Sequence, residues 1–171
     1  MVKLIIPEEK YLSSYKEAIK EYEANNVTTY TLDDPDSIDI FKKYDDLRHE
    51  RNLPEGFVGA DEYWLVDDEK NHFIGKVSIR HELNDFLKHY GGHIGYAIRF
   101  SDWNKGYGTM ILKLALERAG ELGIKEVLLT CNDDNIGSYK VMEKNGLTLK
   151  DKVPNKEKGR DIITRRYTKK L

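Results

Sequence analysis

Residues 93–116 read HIGYAIRFSDWNKGYGTMILKLAL, and the reading of this stretch decides the fold. His93 to Phe100 has the pattern of a strand. A short turn follows, and an apolar helix then runs from Lys105 to Leu122, opening on Gly106-Tyr107-Gly108. Met110, Ile111, Leu114 and Ala115 are expected on its inner stripe. Two glycines at this spacing remove side chains that would keep a ligand from the backbone. The first turn of the helix leaves several N–H groups unpaired, with the positive end of the helix dipole behind them. Such a strand–turn–helix binds phosphate, although the same glycines also serve plain helix-on-sheet packing.

Working outward, the C-terminal side continues the alternation. Glu126 to Cys131 reads as a buried strand. Asn135 to Lys144 reads as a helix closed by Asn145-Gly146. Leu147 to Val153 and Asp161 to Thr168 read as strands joined by a charged loop, Pro154 to Arg160. On the N-terminal side, Val2 to Ile6 is a short strand. Glu8 to Glu23 is an amphipathic helix with Tyr11, Leu12, Tyr15, Ala18, Ile19 and Tyr22 on one stripe. Asp34-Pro35 carries the signal of a helix start, and Ile40, Phe41, Tyr44 and Leu47 face inward from that helix. Pro54-Glu55-Gly56 breaks it. Glu62 to Val66 and Phe73 to Leu83 form an antiparallel hairpin, Val77, Ile79, His81 and Leu83 alternating against Ser78, Arg80 and Glu82. A helical excursion from Asn84 to Tyr90 stops at Gly91-Gly92. An antiparallel meander thus runs into a β-α-β-α-β segment. This predicts an α/β (α+β) fold with a central mixed, mostly antiparallel sheet of about seven strands and helices on both faces. The 171 residues fit one domain, 1–171.

Composition narrows the classes of function. A net charge of -2 advertises neither nucleic acid nor a membrane surface, so an anionic ligand must be held by local geometry. The single cysteine, Cys131, excludes an internal disulfide and a multi-cysteine metal framework. No metal site is expected. The N-terminus turns charged within a few residues, unlike a signal peptide, and no apolar run is long enough to span a bilayer, so a cytoplasmic location is expected.

The glycine turn lacks the G-x-x-x-x-G-K-[ST] of a Walker loop. A dinucleotide fingerprint needs a third glycine where Ile111 stands, and the antiparallel strands upstream do not suit that fold. Trp103-Asn104-Lys105-Gly106-Tyr107-Gly108 instead resembles the [Arg/Gln]-x-x-Gly-x-[Gly/Ala] signature of the GNAT superfamily of acyl-CoA-dependent N-acetyltransferases. The stretch from Asn135-Ile136-Gly137-Ser138-Tyr139 to Glu143-Lys144-Asn145-Gly146 resembles that family's second signature, and the likeness in element order covers nearly the whole chain. The resemblance implies acetyl transfer from acetyl-CoA to an amine by direct attack in a ternary complex. It implies a sheet splayed on either side of the glycine-turn helix, with the thioester in the gap. Pyrophosphate would lie on the amides of Lys105 to Thr109, and the pantetheine arm on the strand end at Ile98, Arg99 and Phe100. Asn135 and Ser138 would meet the pantetheine or acyl end, Lys144 the 3′-phosphate, and Trp103 and Asn104 the cofactor's flank. The acceptor would be a small-molecule or peptide amine, with no nucleic-acid or membrane partner. Homodimers are common in the family, though no feature here specifies one.

Two positions depart from the family pattern. Trp103 stands in place of Arg/Gln, and Met142 in place of a tyrosine acid, with Tyr139 one turn away. Candidate bases are Glu82, His81 and His93, and Tyr139 is the candidate acid. The runner-up reading is a catalytically weak or inactive acyl-CoA-binding or sensor domain.

Overall fold

The computed structural model describes residues 1–28 and 31–171. Its elements run β1 (Val2–Ile5), α1 (Leu12–Ala24), α2 (Ile40–Arg48), β2 (Ala60–Asp67), β3 (His72–Arg80), α3 (Asp85–Tyr90), β4 (Ile94–Ile98), α4 (Tyr107–Glu121), β5 (Glu126–Asn132), α5 (Ile136–Lys144), β6 (Thr148–Glu157) and β7 (Arg160–Lys170). The strands form two antiparallel sheets, ordered β1-β2-β3-β4 and β5-β7-β6. Among the described residues their backbones bond to each other just before β4. Here the His93 N–H donates to Leu128 O at 2.7 Å, and Gly92 bridges Leu129. Gly92 has φ +66°, and any Cβ there would stand 2.2 Å from Leu128 O. Only glycine lets the two sheets touch at this vertex. Beyond it β4 and β5 diverge.

Two cores hold the sheet. Tyr11, Tyr15, Ala18, Ile40, Tyr44 and Leu47 pack on Trp64, Val66 and Phe73. On the opposite face Ile111, Leu112, Ala115 and Ala119 pack on Leu65, Val77, Ile79 and Ile94. The register of β2 on β3 slips between Leu65 and Val66, which pair with Gly75 and Phe73, so Ile74 is the extra residue. Such a bulge reverses the pleat. Phe73 therefore faces α1 and α2, yet Lys76, Ser78 and Arg80 also face that side, while Val77 and Ile79 face α4.

Three local expectations are corrected. The second helix starts at Asp39, whose carboxylate accepts from Lys42 N–H. Asp34 caps a separate turn, accepting from Asp36 N–H and Ser37 Oγ. The apolar periodicity supports helix only from Ile40, and Asp34-Pro35 is a turn with the same local signal. Met110 is 41% exposed, and Leu112, Leu116 and Ala119 complete the buried stripe of α4 instead. The segment read as a charged loop is mostly strand. β6 runs to Glu157 and pairs Pro154 with Ile163, and Lys158 and Gly159, at φ 48° and 78°, make a two-residue turn. β6 lies at a sheet edge, where proline and charge are tolerated.

Candidate active site

The turn before α4 is held from below. Arg99 is buried and points away from solvent. Its Nε donates to Glu21 at 2.7 Å, and its Nη1 donates to Ser14 Oγ at 2.9 Å and to His72 Nδ1 at 3.2 Å. Because a guanidinium only donates, His72 Nδ1 accepts, and its Nε2–H donates to the buried Asp102 at 2.6 Å. Asp102 also binds Lys105 Nζ at 2.9 Å. The Ser101 N–H donates to Glu21 at 3.0 Å. Arg99, an expected cofactor residue, thus contributes its side chain to the frame of the turn.

The turn enters α4 through Asn104, at φ 61°, and Gly106, at φ 85°. Asparagine tolerates the left-handed region, and glycine has no penalty there. Side chains cap α2, α3 and α5, but among the described residues none caps α1 or α4. The first bond in this helix runs from Met110 N–H to Gly106 O, so the amides of Tyr107, Gly108 and Thr109 precede the hydrogen-bonded ladder. Gly108 has a packing reason as well. A Cβ there would lie 3.3 Å from Val141 of α5, whose C-terminal Asn145 donates to Thr109 O at 3.2 Å.

The gap between β4 and β5 has a polar edge. Arg80 N–H donates to His93 O and Arg99 N–H to Ile74 O, so the odd-numbered residues of β4 pair with β3. Ile94, Tyr96 and Ile98 therefore turn their backbone groups to the gap. The Ile98 carbonyl is already engaged, by Trp103 Nε1 at 2.7 Å and by the Tyr22 hydroxyl. Trp103, tilted against Phe100 and edge-on to Tyr22, thus anchors the end of β4 where an Arg/Gln was the family pattern.

A cavity of about 640 Å³ fills the gap, lined among others by Tyr96, Cys131, Asn135, Ser138, Met142 and Thr164. The Tyr96 hydroxyl is buried and has no hydrogen-bond partner among the described residues. Burial raises its pKa, with Ser138 opposing. Burial also pushes the Cys131 thiol up to about 11, so it stays protonated at neutral pH. The Asn135 side chain accepts from the Ser138 N–H and so caps α5. Lys144 is exposed at the far end of that helix.

A second cavity of about 340 Å³ lies on the α1/α2 face of β2 and β3. Its floor carries Glu62, Lys76 and Arg80, and Asp33 and Lys43 stand at its wall. Lys76 Nζ is buried 3.0 Å from Asp33 and 3.2 Å from Glu62 Oε2. Burial opposes its charge, but Glu62 and Asp33 outweigh that and raise its pKa. Glu62 is 5% exposed, and its Oε2 has the ion pair but no hydrogen bond. The two cavities share Thr31, Arg80, Phe86 and Gly95.

Of the expected acid–base residues, Glu82, His81, His93 and Tyr139 line neither cavity. Glu82 is exposed. His81 is held between Glu50 and Asp61, at 3.0 Å from each ring nitrogen, and these carboxylates raise its pKa against the effect of burial. His93 Nδ1 accepts from Leu128 N–H at 3.0 Å at the vertex, which uses the one lone pair of the neutral ring. Tyr139 lies under Arg165, 4.0 Å from ring centroid to guanidinium carbon. Glu62, Lys76 and Tyr96 take the central places. The signal for Glu62 was its position two residues before Trp64 on the apolar face of a strand. Tyr96 alternates with Ile94 and Ile98, which pointed to packing.

No helix among the described residues is long and apolar enough to cross a membrane, and no group of three or more potential metal ligands occurs among them. An N-acetyltransferase of Bacillus subtilis (strain 168), uncharacterized and called YnaD, is 35% identical over 120 residues, 63% of this chain and 71% of that protein. The microcin C7 self-immunity acetyltransferase MccE, solved with acetyl-CoA and AMP, superposes with a TM-score of 0.73 at 20% identity, covering 99% of this chain and 92% of that one. The ribosomal-protein-S5-alanine acetyltransferase of Vibrio fischeri gives 0.74 at 14% identity, covering 99% and 92%. Residues 11–148 match the family described as the acetyltransferase (GNAT) domain, and the chain belongs to that family.

Proposed function

We propose that the protein transfers an acetyl group from acetyl-CoA to an amine by direct attack in a ternary complex. One observation carries this reading: the gap cavity adjoins a second, charged cavity, the two sharing Thr31, Arg80, Phe86 and Gly95 in their linings. A donor in one and an acceptor in the other would meet without a covalent enzyme intermediate.

The residues present suit acetyl-CoA. The uncapped start of α4, at Lys105 to Thr109, offers amides and the helix dipole to a pyrophosphate. Ile94 and Tyr96 offer backbone groups to a pantetheine arm, as an added strand would find them. Asn135 and Ser138 line the gap cavity, and Lys144, exposed at the end of α5, would meet a phosphate outside it. Bound there, acetyl-CoA supplies an acetyl group activated as a thioester.

The chain's own residues handle protons. Two carboxylates, Glu62 and Asp33, border the acceptor cavity; Asp33 is held by Lys43 and Lys76, and Glu62 takes the proton shed by the attacking amine, directly or through water. Tyr96 Oη holds a proton at the gap for the departing sulfur, the role that Met142 cannot fill. A thiol is acidic enough to leave without full proton transfer, so Tyr96 contributes rate rather than making the reaction possible. His81 and His93 act on the frame around these groups.

The test is an acceptor screen by thiol release, run beside a melting experiment with acetyl-CoA. Turnover with an amine and a raised melting temperature support the reading. Saturable acetyl-CoA binding with no turnover for any amine would leave a binding or sensor domain.

A further inference from the structure

Three cations line the acceptor cavity, and two of them are matched. Lys43 lies 2.5 Å from Asp33, and Lys76 lies between Asp33 and Glu62. Arg80 has no ion pair with a carboxylate among the described residues. Its Nη1 donates to two neutral carbonyls, Gly92 O at 2.9 Å and Gly91 O at 3.3 Å, at the end of α3. Burial lowers its pKa, and the more distant charge of Glu62 does not outweigh that. A guanidinium held half-buried without a counter-charge is costly unless something else supplies one.

The approach to it is open. A Cβ built on Gly95 would lie 3.7 Å from Arg80 Nη2 and 3.9 Å from Nη1, with no other atom within 4 Å. The absent side chain at Gly95 therefore exposes the second edge of the guanidinium, at the point where the two cavities join. Arginine's planar fork matches a carboxylate through two parallel bonds. Leu47, Phe57, Val58 and Leu87 give the same cavity an apolar wall. Its volume of about 340 Å³ sits at the small end of ligand sites and suits a molecule of amino-acid size.

We infer that Arg80 and Gly95 form an anion subsite, and that the acceptor is a small amine carrying its own carboxylate and an apolar body. A carboxylate held at this junction keeps an amine a few bonds away beside the gap. The inference rests on the acetyl-transfer reading and narrows its acceptor.

The experiment compares free amino acids with their C-terminal amides and with the corresponding decarboxylated amines, using the wild-type enzyme and acetyl-CoA. The expected result is a kcat/KM at least tenfold higher for acids such as phenylalanine, leucine or methionine. The amide's amine is less basic and more of it is neutral, so the comparison is biased against this outcome. Acids, and not amides, should also raise the melting temperature in the presence of CoA. Arg80→Lys should bring the acid-to-amide ratio towards one. Gly95→Ala should raise KM for acids while melting as the wild type does, because its methyl group meets only ordinary contact distances. Equal turnover of acids and amides, or turnover only of amines that lack a carboxylate, would overturn the anion subsite and leave acetyl transfer standing. No turnover of any amine by an enzyme that binds acetyl-CoA would overturn both.

Discussion

Among the described residues the buried Tyr96 hydroxyl has no hydrogen bond, and an orphan of that kind has a measurable signature. Leaving a buried polar group unsatisfied costs about 1–3 kcal/mol, so Tyr96→Phe should leave stability unchanged or raise it. If the hydroxyl serves the departing sulfur, the same change should lower kcat about tenfold with KM little altered, within the usual range of general acid catalysis. Steady-state rates and a melting curve on one preparation separate the two roles. Lys76 behaves in the opposite way. Lys76→Met would strand Glu62 in the cavity while Asp33 keeps Lys43, and breaking a buried ion pair typically costs about 3–5 kcal/mol, which urea unfolding would read. Neither residue was singled out from the sequence. A lysine among β3 residues and a glutamate before Trp64 read as ordinary strand polarity. The bulge at Ile74 sets which side Lys76 faces and leaves no mark in an alternating pattern, whereas Glu62 shares the side of Trp64 by simple alternation. His81 was visible as a titratable group, but its partner Glu50 lies 31 residues away in sequence and only folding brings it near.

The elements were legible where a cap or a glycine punctuates them. Asn84, Asn135 and Gly146 stand where the sequence placed element ends. Asp39 and Asp34 were not separable by residue type. Asp39→Ala should cost about 1 kcal/mol in unfolding free energy, as loss of an N-cap does, and Asp34→Ala should cost less because no helix follows it directly. The vertex between β4 and β5 gives a prediction in pH. Burial, with Arg80 nearby, holds the His93 pKa below 6.5. The folded state therefore binds that proton less readily than the unfolded chain does. Its contribution to stability is present above pH 6.5 and is lost as pH falls through the lower folded value. His93→Asn keeps an acceptor for the Leu128 N–H but does not titrate. Between about pH 7.5 and about pH 5.5 the wild type should lose more melting temperature than this variant, in the window where an ordinary histidine titrates. A parallel decline would mean that other groups govern the vertex.

For the whole molecule, the order of elements and the two signatures carried the fold, because each depends on local spacing. The division into a four-stranded and a three-stranded sheet follows from long-range contacts at Gly92 and His93, and the acceptor cavity from the packing of α1 and α2 over one of them. Trp103 shows why a signature alone was incomplete: its indole N–H fastens the Ile98 carbonyl, a role no motif encodes. The turn from Asn104 to Thr109 and the cavity around Glu62 make sense together only if donor and acceptor occupy the protein at once. Initial rates of thiol release, with acetyl-CoA and an amine acceptor varied independently, test this most directly. Intersecting double-reciprocal lines and no release without amine are predicted. Parallel lines, or release of thiol independent of any amine, would contradict direct transfer.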